Sequence, residues 1–201
     1  MSPRRPNPDL AARRRAELIK AGYAEILEKG IQGVTLDAVV ARAGSSKGGA
    51  LYYFRTKDDL LFAILEWVLF ELDRTLEDVV RNQDTPRRRL TSELEVLFHS
   101  AEVNRKLYLV LFDFVSLSAR SERFRLRLAA FFEGCRGRNQ AIVEEGIRQR
   151  QFRRVNSDEA AVTIRALVDG YCLQWLLGGG TVPLEVYRDR CRAVLGSYLL
   201  R

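Results

Sequence analysis

The placement of proline constrains the fold of this chain more than any other sequence feature. Its five prolines stand at positions 3, 6, 8, 86 and 183, so residues 9–85 and 87–182 contain none. Proline breaks the interior of a helix, and both stretches are therefore free to be helical. Apolar residues recur at helical intervals rather than in strand-like alternation. The sequence predicts an all-α fold of about nine helices.

Capping residues and glycines set the predicted helix bounds. Residues 1–8 are predicted to be a loose arm, and Gly30 and Gly44 to end the first two helices. The predicted helices cover residues 9–29, 35–43, 45 or 46 to 54, 56 onward, 86–101, 105–118, 121–149, 157–177 and 184–200. We expect residues 1–56 to form one domain and residues 57–201 a second.

Composition and charge exclude several classes of protein. The 201 residues are 47% hydrophobic and 29% charged, which is typical of a soluble globular chain, and we expect it in the cytoplasm without membrane contact. The three cysteines are far apart and there is a single histidine, so a metal site is not expected. The net charge is +7, and residues 1–56 hold ten Lys/Arg against five Asp/Glu. This concentration of positive charge favours a polyanionic partner.

Residues 35–54, TLDAVVARAGSSKGGALYYF, carry the clearest functional pattern. Two short helices with hydroxyl caps are joined by a glycine turn, and the first helix can cover their apolar faces. This is the helix-turn-helix arrangement, whose second helix can enter a DNA major groove. Gly48 and Gly49 each cost about 1 kcal/mol in a helix interior, which favours close approach of the backbone to a ligand.

These residues resemble the tetracycline-repressor (TetR) family of transcription regulators over residues 14–65. Matching features are Gly30, Ala43-Gly44, Ser46-Lys47-Gly48, the aromatic pair before Phe54, and Lys57 followed by Asp58-Asp59-Leu60-Leu61. The resemblance implies a homodimeric repressor that reads a near-palindromic double-stranded DNA operator. By position it assigns phosphate contacts to Thr35, Ser46, Lys47, Tyr53 and Lys57, and base-edge contacts to Ser45, Gly49 and Tyr52.

Two departures from the family pattern affect the expected DNA contacts. Leu51 stands where many members carry a tyrosine, so one backbone contact is expected to be absent. Gly49 and Ala50 offer little side chain for base recognition. Specificity is therefore expected to depend on Tyr52, Arg42 and DNA shape.

The resemblance also implies that a small-molecule effector binds among helices 4–7 and that its binding causes the protein to release DNA. The predicted pocket residues are Trp67, Phe70, Phe98, His99, Phe112, Asp113, Tyr171 and Trp175. Because most of them are aromatic, we expect a largely apolar effector. Asp113 is expected either to contact a polar group of the effector, or to form a salt bridge, or to point into solvent. The aromatic residues are also consistent with an ordinary hydrophobic core.

Small and apolar residues on helices 8 and 9 predict the dimer interface. Two such helices from each subunit can form a four-helix contact. The predicted interface residues are Ile164, Leu167, Gly170, Cys191, Val194 and Tyr198. The alternative is that these faces pack only within one chain.

Two other functions compete with an effector-controlled repressor. Gly44–Gly48 matches the G-x-S-x-G motif of esterases, with His99 downstream, but that motif needs a preceding strand and the sequence predicts none. No nucleotide-binding or metal-binding motif is present, so neither an enzyme nor a cofactor is expected. A DNA-binding dimer without an effector, either constitutive or switched by a protein partner, remains open.

Overall fold

A computed structural model describes residues 8–200, and this range contains nine helices and no strand. The helices are α1 (Pro8–Gly33), α2 (Leu36–Arg42), α3 (Lys47–Tyr53), α4 (Lys57–Arg81), α5 (Pro86–Leu97), α6 (Ala101–Ser118), α7 (Glu122–Arg148), α8 (Ser157–Leu177) and α9 (Leu184–Leu199). The predicted all-α class is confirmed. Apart from Pro8, where α1 begins, the loose arm expected at residues 1–8 lies outside the described residues.

Polar caps explain where the short N-terminal helices begin. The hydroxyls of Thr35 and Ser46 accept the backbone N–H three residues ahead, at 3.2 and 3.1 Å. Thr56 accepts the N–H of Asp59 at 3.1 Å and donates to its carboxylate at 2.9 Å. These bonds satisfy amides that the first helical turn leaves without partners. The three starts therefore follow directly from local sequence.

Glycine conformation explains where α1 and α2 are interrupted. Gly30 has φ 68° and ψ 166°, so the regular part of α1 stops there before a last short turn to Gly33. Gly44 has φ 58° in the turn before α3. Side chains with a Cβ rarely adopt these left-handed conformations. Both stops lie where the sequence predicts them.

The boundary between α5 and α6 differs from the prediction. α5 ends at Leu97 rather than at residue 101, and α6 begins at Ala101 rather than at residue 105. Phe98 leaves the helical conformation, with φ −122° and ψ 41°. Ser100 then caps α6 by accepting the N–H of Val103 at 3.2 Å. The break is not predicted from the sequence because apolar residues continue at helical spacing across this segment.

The first compact unit contains α1, α2, α3 and the start of α4, and it ends at Phe70 rather than at residue 56. The first turns of α4 belong to it because Leu60 and Ile64 are fully buried in its core. A Cβ on Gly22 of α1 would lie only 2.6 Å from the Ile64 Cδ1 atom, so glycine permits close packing of α1 on α4. The helix-turn-helix is thus held by a scaffold of two longer helices.

The second compact unit contains the rest of α4 and helices α5 to α9. Helix α7 packs along α8, and α6 contacts both of them. The ring of Phe152, in the turn after α7, occupies the space where a Cβ on Gly146 would lie. Phe114 and Phe124 stack at 5.9 Å where α6 meets α7. These contacts give the unit a continuous apolar core.

Candidate functional site

Helix α3 presents an unusually bare outer surface. Gly48 is exposed, and nothing lies within 4 Å of the position its Cβ would take, so internal packing does not require glycine there. Gly49 has less space around it, because a Cβ there would lie 3.0 Å from the hydroxyl oxygen of Ser46 and 3.4 Å from that of Ser45. The open backbone at the start of α3 can approach another molecule closely.

Two tyrosines follow this bare surface. Tyr52 is 73% exposed, and its ring meets that of Tyr53 edge to face at 5.1 Å. Leu51 beside them is 42% exposed. Large exposed aromatic and aliphatic side chains on a seven-residue helix indicate a contact surface rather than a core element.

The predicted phosphate-binding lysines are the first residue of α3, Lys47, and the first residue of α4, Lys57. The Lys47 ammonium is 2.9 Å from the carboxylate of Asp37, and both side chains are exposed. The Lys57 ammonium donates to the backbone carbonyl of Gln32 at 3.0 Å. Exposed ion pairs contribute little to stability, so a phosphate can displace Asp37 at low cost. Lys57 additionally fixes the last turn of α1.

Arg42 has a different environment from the one expected for a DNA-reading residue. Its guanidinium donates to Glu25 at 2.7 Å and to Glu28 at 2.5 Å, both on α1. Hydrogen bonds donated by Lys29 and Arg42 lower the pKa of Glu25, and the hydrogen bonds that Arg42 donates to Glu28 and Glu25 raise the pKa of Arg42. Arg42 therefore links α2 to α1 through these two ion pairs. Sequence reasoning missed Glu25 because 17 residues separate it from Arg42.

The structure does not bring the predicted effector residues together in one unit. Trp67 and Phe70 lie in the first unit, where they line a crevice of about 490 Å³ between α1 and α4. The Trp67 ring packs edge-on against Tyr23 at 5.3 Å. The other predicted residues lie in the second unit. Trp67 and Phe70 thus lie beside α1, and their part in an effector pocket stays a prediction.

Within the second unit the remaining predicted residues differ in burial. Phe98 and Trp175 are buried, whereas His99 is exposed and Asp113 is half-buried. Phe112 packs against Tyr108 at 5.8 Å, and Tyr171 meets Tyr187 at 6.1 Å. Phe98 and Trp175 act as core residues.

A cluster of charged and polar groups, four of them mostly buried and two half-buried, lies in the second unit and is absent from the sequence prediction. We call it the buried ionic cluster; its members are Asp73, Glu93, Arg138, Asn139, Arg165 and Asp169. Glu93 is 1% exposed and Asn139 is fully buried. Burial raises the pKa of Glu93, although the nearby guanidinium groups of Arg138 and Arg165 oppose that rise. Charged groups are rarely buried in this way without a functional or structural reason.

Helices α8 and α9 present an apolar outer face that differs in part from the predicted one. Ile164 and Cys191 are buried inside the bundle, so they have no surface for a partner, and this part of the prediction is corrected. Leu167, Gly170 and Tyr198 are half-buried, and Val194 is 42% exposed. We call one side of α8 its outer stripe; it consists of Val162, Ala166, Gly170, Leu173 and Leu177.

Comparison with known families shows which family the chain belongs to. The model of bacterial regulatory proteins of the tetR family matches residues 18–64. The model of the C-terminal region of BetI-type transcriptional repressors matches residues 86–200. The chain belongs to the TetR family. The resemblance seen in the helix-turn-helix sequence is therefore confirmed.

Relatives of this TetR-family chain match it over nearly its full length. The HTH-type transcriptional regulator BetI of Burkholderia lata is 30% identical over 200 residues, which covers 92% of this chain and 95% of the relative. A TetR transcription regulator from Haloarcula marismortui has 25% identity and a TM-score of 0.86, covering 94% of this chain and 100% of its own. A transcriptional regulator from Saccharomonospora viridis, solved in complex with choline, has 18% identity and a TM-score of 0.88, covering 94% and 99%.

As a member of the TetR family, the protein is a DNA-binding transcription regulator and not an enzyme. The G-x-S-x-G match spans a turn and the start of α3, where the Ser46 hydroxyl caps a helix instead of following a strand. Over residues 8–200, no helix is long and apolar enough to cross a membrane. The same residues contain no group of three His, Cys, Asp or Glu side chains placed to hold a metal ion.

Proposed function

We propose that this regulator is a homodimeric repressor that acts in the cytoplasm, binds a near-palindromic operator through α3 and leaves it when a small organic effector binds the second unit. The observation that carries the proposal is the exposed surface of α3. Its bare glycine backbone, the exposed ring of Tyr52 and the cation of Lys47 occur together on one short capped helix. These are the groups that a recognition helix needs to approach, read and neutralise DNA.

Different residues of the surface carry different parts of DNA binding. Lys47, Lys57 and the hydroxyls of Thr35 and Ser46 contact phosphates, which positions α3 without reading sequence. Tyr52 and the backbone at Gly48 and Gly49 meet base edges together with Ser45. Tyr53, whose ring is partly covered, supports the Tyr52 ring and offers its hydroxyl to a phosphate. Arg42 contributes by orienting α2 instead of by contacting a base.

The outer stripe of α8 supports the homodimer. Its five residues are apolar or small and recur at intervals of three or four positions, the spacing of one helical face. Leu173 is 38% exposed and Leu177 is 77% exposed in the isolated chain. On α9, Val186 and Val194 add to the exposed apolar surface. A second copy of the chain can cover both helices by a two-fold contact.

The second unit supports the effector part of the proposal. The choline-bound regulator from Saccharomonospora viridis has the same fold, which favours a small organic effector here. The half-buried Phe112 and Tyr171 offer aromatic surface, as expected from the sequence. The buried ionic cluster adds polar groups that the sequence prediction lacked. An effector changes DNA binding only if it prefers the conformation that cannot bind DNA.

The experiment that tests the proposal compares two exposed, ion-paired lysines. Lys47 pairs with Asp37 beside α3, whereas Lys106 pairs with Glu102 on α6. In gel shifts with an operator selected from random DNA, Lys47→Ala should weaken binding to all sequences and lower the salt slope by about 1 for each subunit's lost phosphate contact. Lys106→Ala should bind like the wild type. Equal behaviour of the two variants would contradict the placement of DNA at α3.

A further inference from the structure

The charges of the buried ionic cluster do not balance within the described chain. The Arg138 guanidinium lies 2.9 Å from the carboxylate of Asp73, and Arg165 pairs with Asp169. These two pairs use both cations of the cluster. Glu93 receives one hydrogen bond, from the side-chain amide of Asn139 at 2.5 Å. Counted with Asp73 and Asp169, whose side chains are 44% and 35% exposed, the cluster holds three carboxylates against two guanidinium groups, so it carries one negative charge in excess when Glu93 is ionised.

The cluster also contains polar atoms without partners. Among the described residues, nothing donates to the second carboxylate oxygen of Glu93, Oε1, or to the side-chain oxygen of Asn139. The Nε atoms of Arg138 and Arg165 likewise have no acceptor. Buried polar groups in folded proteins are almost always paired, so four such atoms in one cluster indicate a missing partner. That partner must supply hydrogen-bond donors to the two oxygens.

The surroundings of the cluster suit an organic molecule. The Arg165 guanidinium lies over the ring of Phe132 at 5.9 Å. Tyr108, which is buried, packs on Phe112 where α6 approaches α8. Asp169 keeps 35% of its side chain exposed, so the cluster extends from the interior towards solvent. Aromatic faces and carboxylates together attract organic cations.

We propose that the buried ionic cluster binds the protonated primary amine of a small organic effector. The ammonium donates N–H bonds to the free oxygens of Glu93 and Asn139, and it neutralises the excess carboxylate. The Nε of Arg165 donates to a hydroxyl or similar oxygen on the same molecule. This inference rests on the proposed function, because it names the chemistry of the effector that the second unit binds.

The unpaired atoms distinguish a primary amine from other ligands. A quaternary ammonium such as choline has no N–H, so it would leave both oxygens without donors. A neutral alcohol can donate one hydrogen bond but leaves the carboxylate charge uncompensated. An anion would add to the negative excess. Of these four kinds of ligand, the ammonium with free N–H groups is the one that supplies both a positive charge and donors to the two oxygens.

The test uses the full chain and two matched pairs of probes, measured by isothermal titration calorimetry. Ethanolamine and choline differ only in N–H against N–CH₃ groups, and n-butylamine and n-butanol differ in charge. We expect ethanolamine to bind at least about tenfold more tightly than choline, since one hydrogen bond to a charged group is worth that much. n-Butylamine should bind and n-butanol should not. This comparison needs no variant and is independent of any folding defect.

Variants locate the binding to the cluster. Glu93→Gln should weaken ethanolamine binding at least about tenfold by removing the charge that the ammonium meets. Asn139→Ala should weaken it as well. Glu95→Gln is the control, because Glu95 lies on the same helix but is exposed and pairs with Arg192 at 3.4 Å. Circular dichroism checks that each variant is folded.

Three results would overturn the proposal: equal or tighter binding of choline, amine binding unchanged in folded Glu93→Gln, or no amine binding at millimolar concentration. Gel shifts on the same preparations separate this failure from failure of the proposed function. If the protein binds a selected operator but no amine, the effector chemistry is wrong and DNA recognition by α3 is unaffected. If it binds no operator, the proposed function itself is contradicted.

Discussion

Arg42 shows how one residue type can serve two different functions in a helix-turn-helix. A guanidinium near a recognition helix is well suited to read guanine, which is why the sequence favours Arg42 as a specificity residue. In the folded chain it is bonded to Glu25, whose side chain is 4% exposed, and to Glu28. Turning Arg42 towards DNA would remove a partner from a buried carboxylate, which is costly. Its contribution to DNA binding is therefore to hold α2 in place.

Replacing Arg42 should accordingly affect stability more than sequence discrimination. Arg42→Ala should lower the Tm by several degrees, because Glu25 loses a hydrogen-bonded cation. The affinities for operator DNA and for random DNA should fall by similar factors. Tyr52→Ala, in contrast, should leave the Tm unchanged and narrow the operator-to-random ratio by about tenfold, the scale of one base-pair contact. Thermal melts measure the Tm, and competition gel shifts measure the operator-to-random ratio. A smaller operator-to-random ratio for Arg42→Ala would indicate that Arg42 contacts bases.

Glu93 provides a pH-dependent prediction at the same scale. Burial raises the pKa of Glu93 above its ordinary value of 4.5. The folded chain therefore holds this proton more tightly than the unfolded chain. The resulting stabilisation is complete below that ordinary value and is lost as the pH rises through the raised pKa. Without ligand, the Tm of Glu93→Gln relative to that of the wild type should thus rise as the pH increases above 4.5.

Calorimetric melts at increasing pH check this difference in Tm. The exposed Glu95→Gln serves as the control and should show no growing difference. A difference for Glu93→Gln that is constant or falls with pH would contradict the raised pKa.

At the level of elements, local sequence predicts helix starts better than helix faces. Thr35 and Ser46 cap the helices at which the sequence places them, and Gly44 adopts the positive φ expected of a stop. The break at Phe98, which has φ −122° and ψ 41°, was missed because the apolar periodicity of the sequence continues across it. Capping depends on neighbours within a few residues, so it is readable from sequence.

The orientation of α8 shows the corresponding limit. Apolar residues occur on several sides of this helix, so periodicity alone does not tell which side faces inward. Ile164 lies in the core while Val162, two positions earlier, is 43% exposed. Likewise, Glu93 and Asn139 are 46 residues apart, and neither has a local signal that pairs them. Long-range contacts of this kind form the proposed effector site, and they cannot be predicted from the periodicity of a single sequence.

The outer stripe of α8 leads to a prediction about assembly. Gly170 lies on that stripe, and nothing is within 4 Å of its Cβ position in the isolated chain. Gly170→Arg should therefore fold normally but block close approach of a second copy. Gly137→Arg is the matched control, since Gly137 on α7 is exposed and equally free of neighbours. Analytical ultracentrifugation should show monomers for the first variant and dimers for the second, and a dimeric Gly170→Arg protein would exclude this interface.

At the level of the whole molecule, the proposed dimer converts two weak DNA contacts into one specific one. Each α3 has only seven residues and few side chains able to read bases. A single head is therefore expected to bind weakly. Two heads held at a fixed separation can bind half-sites about one helical turn apart at the same time, which raises affinity without new contacts. Affinity then depends on the spacing of the half-sites as well as on their sequence.

Inserting half a helical turn between the half-sites tests this dependence. Five extra base pairs, about half of the roughly 10-base-pair repeat, place the second half-site on the opposite side of the DNA, where the partner's α3 cannot reach it. Wild-type affinity in gel shifts should fall to that for a single half-site. The monomeric Gly170→Arg variant should bind both DNAs equally weakly, because it never uses two half-sites together. Wild-type binding that tolerates the insertion would show that the two recognition helices act independently.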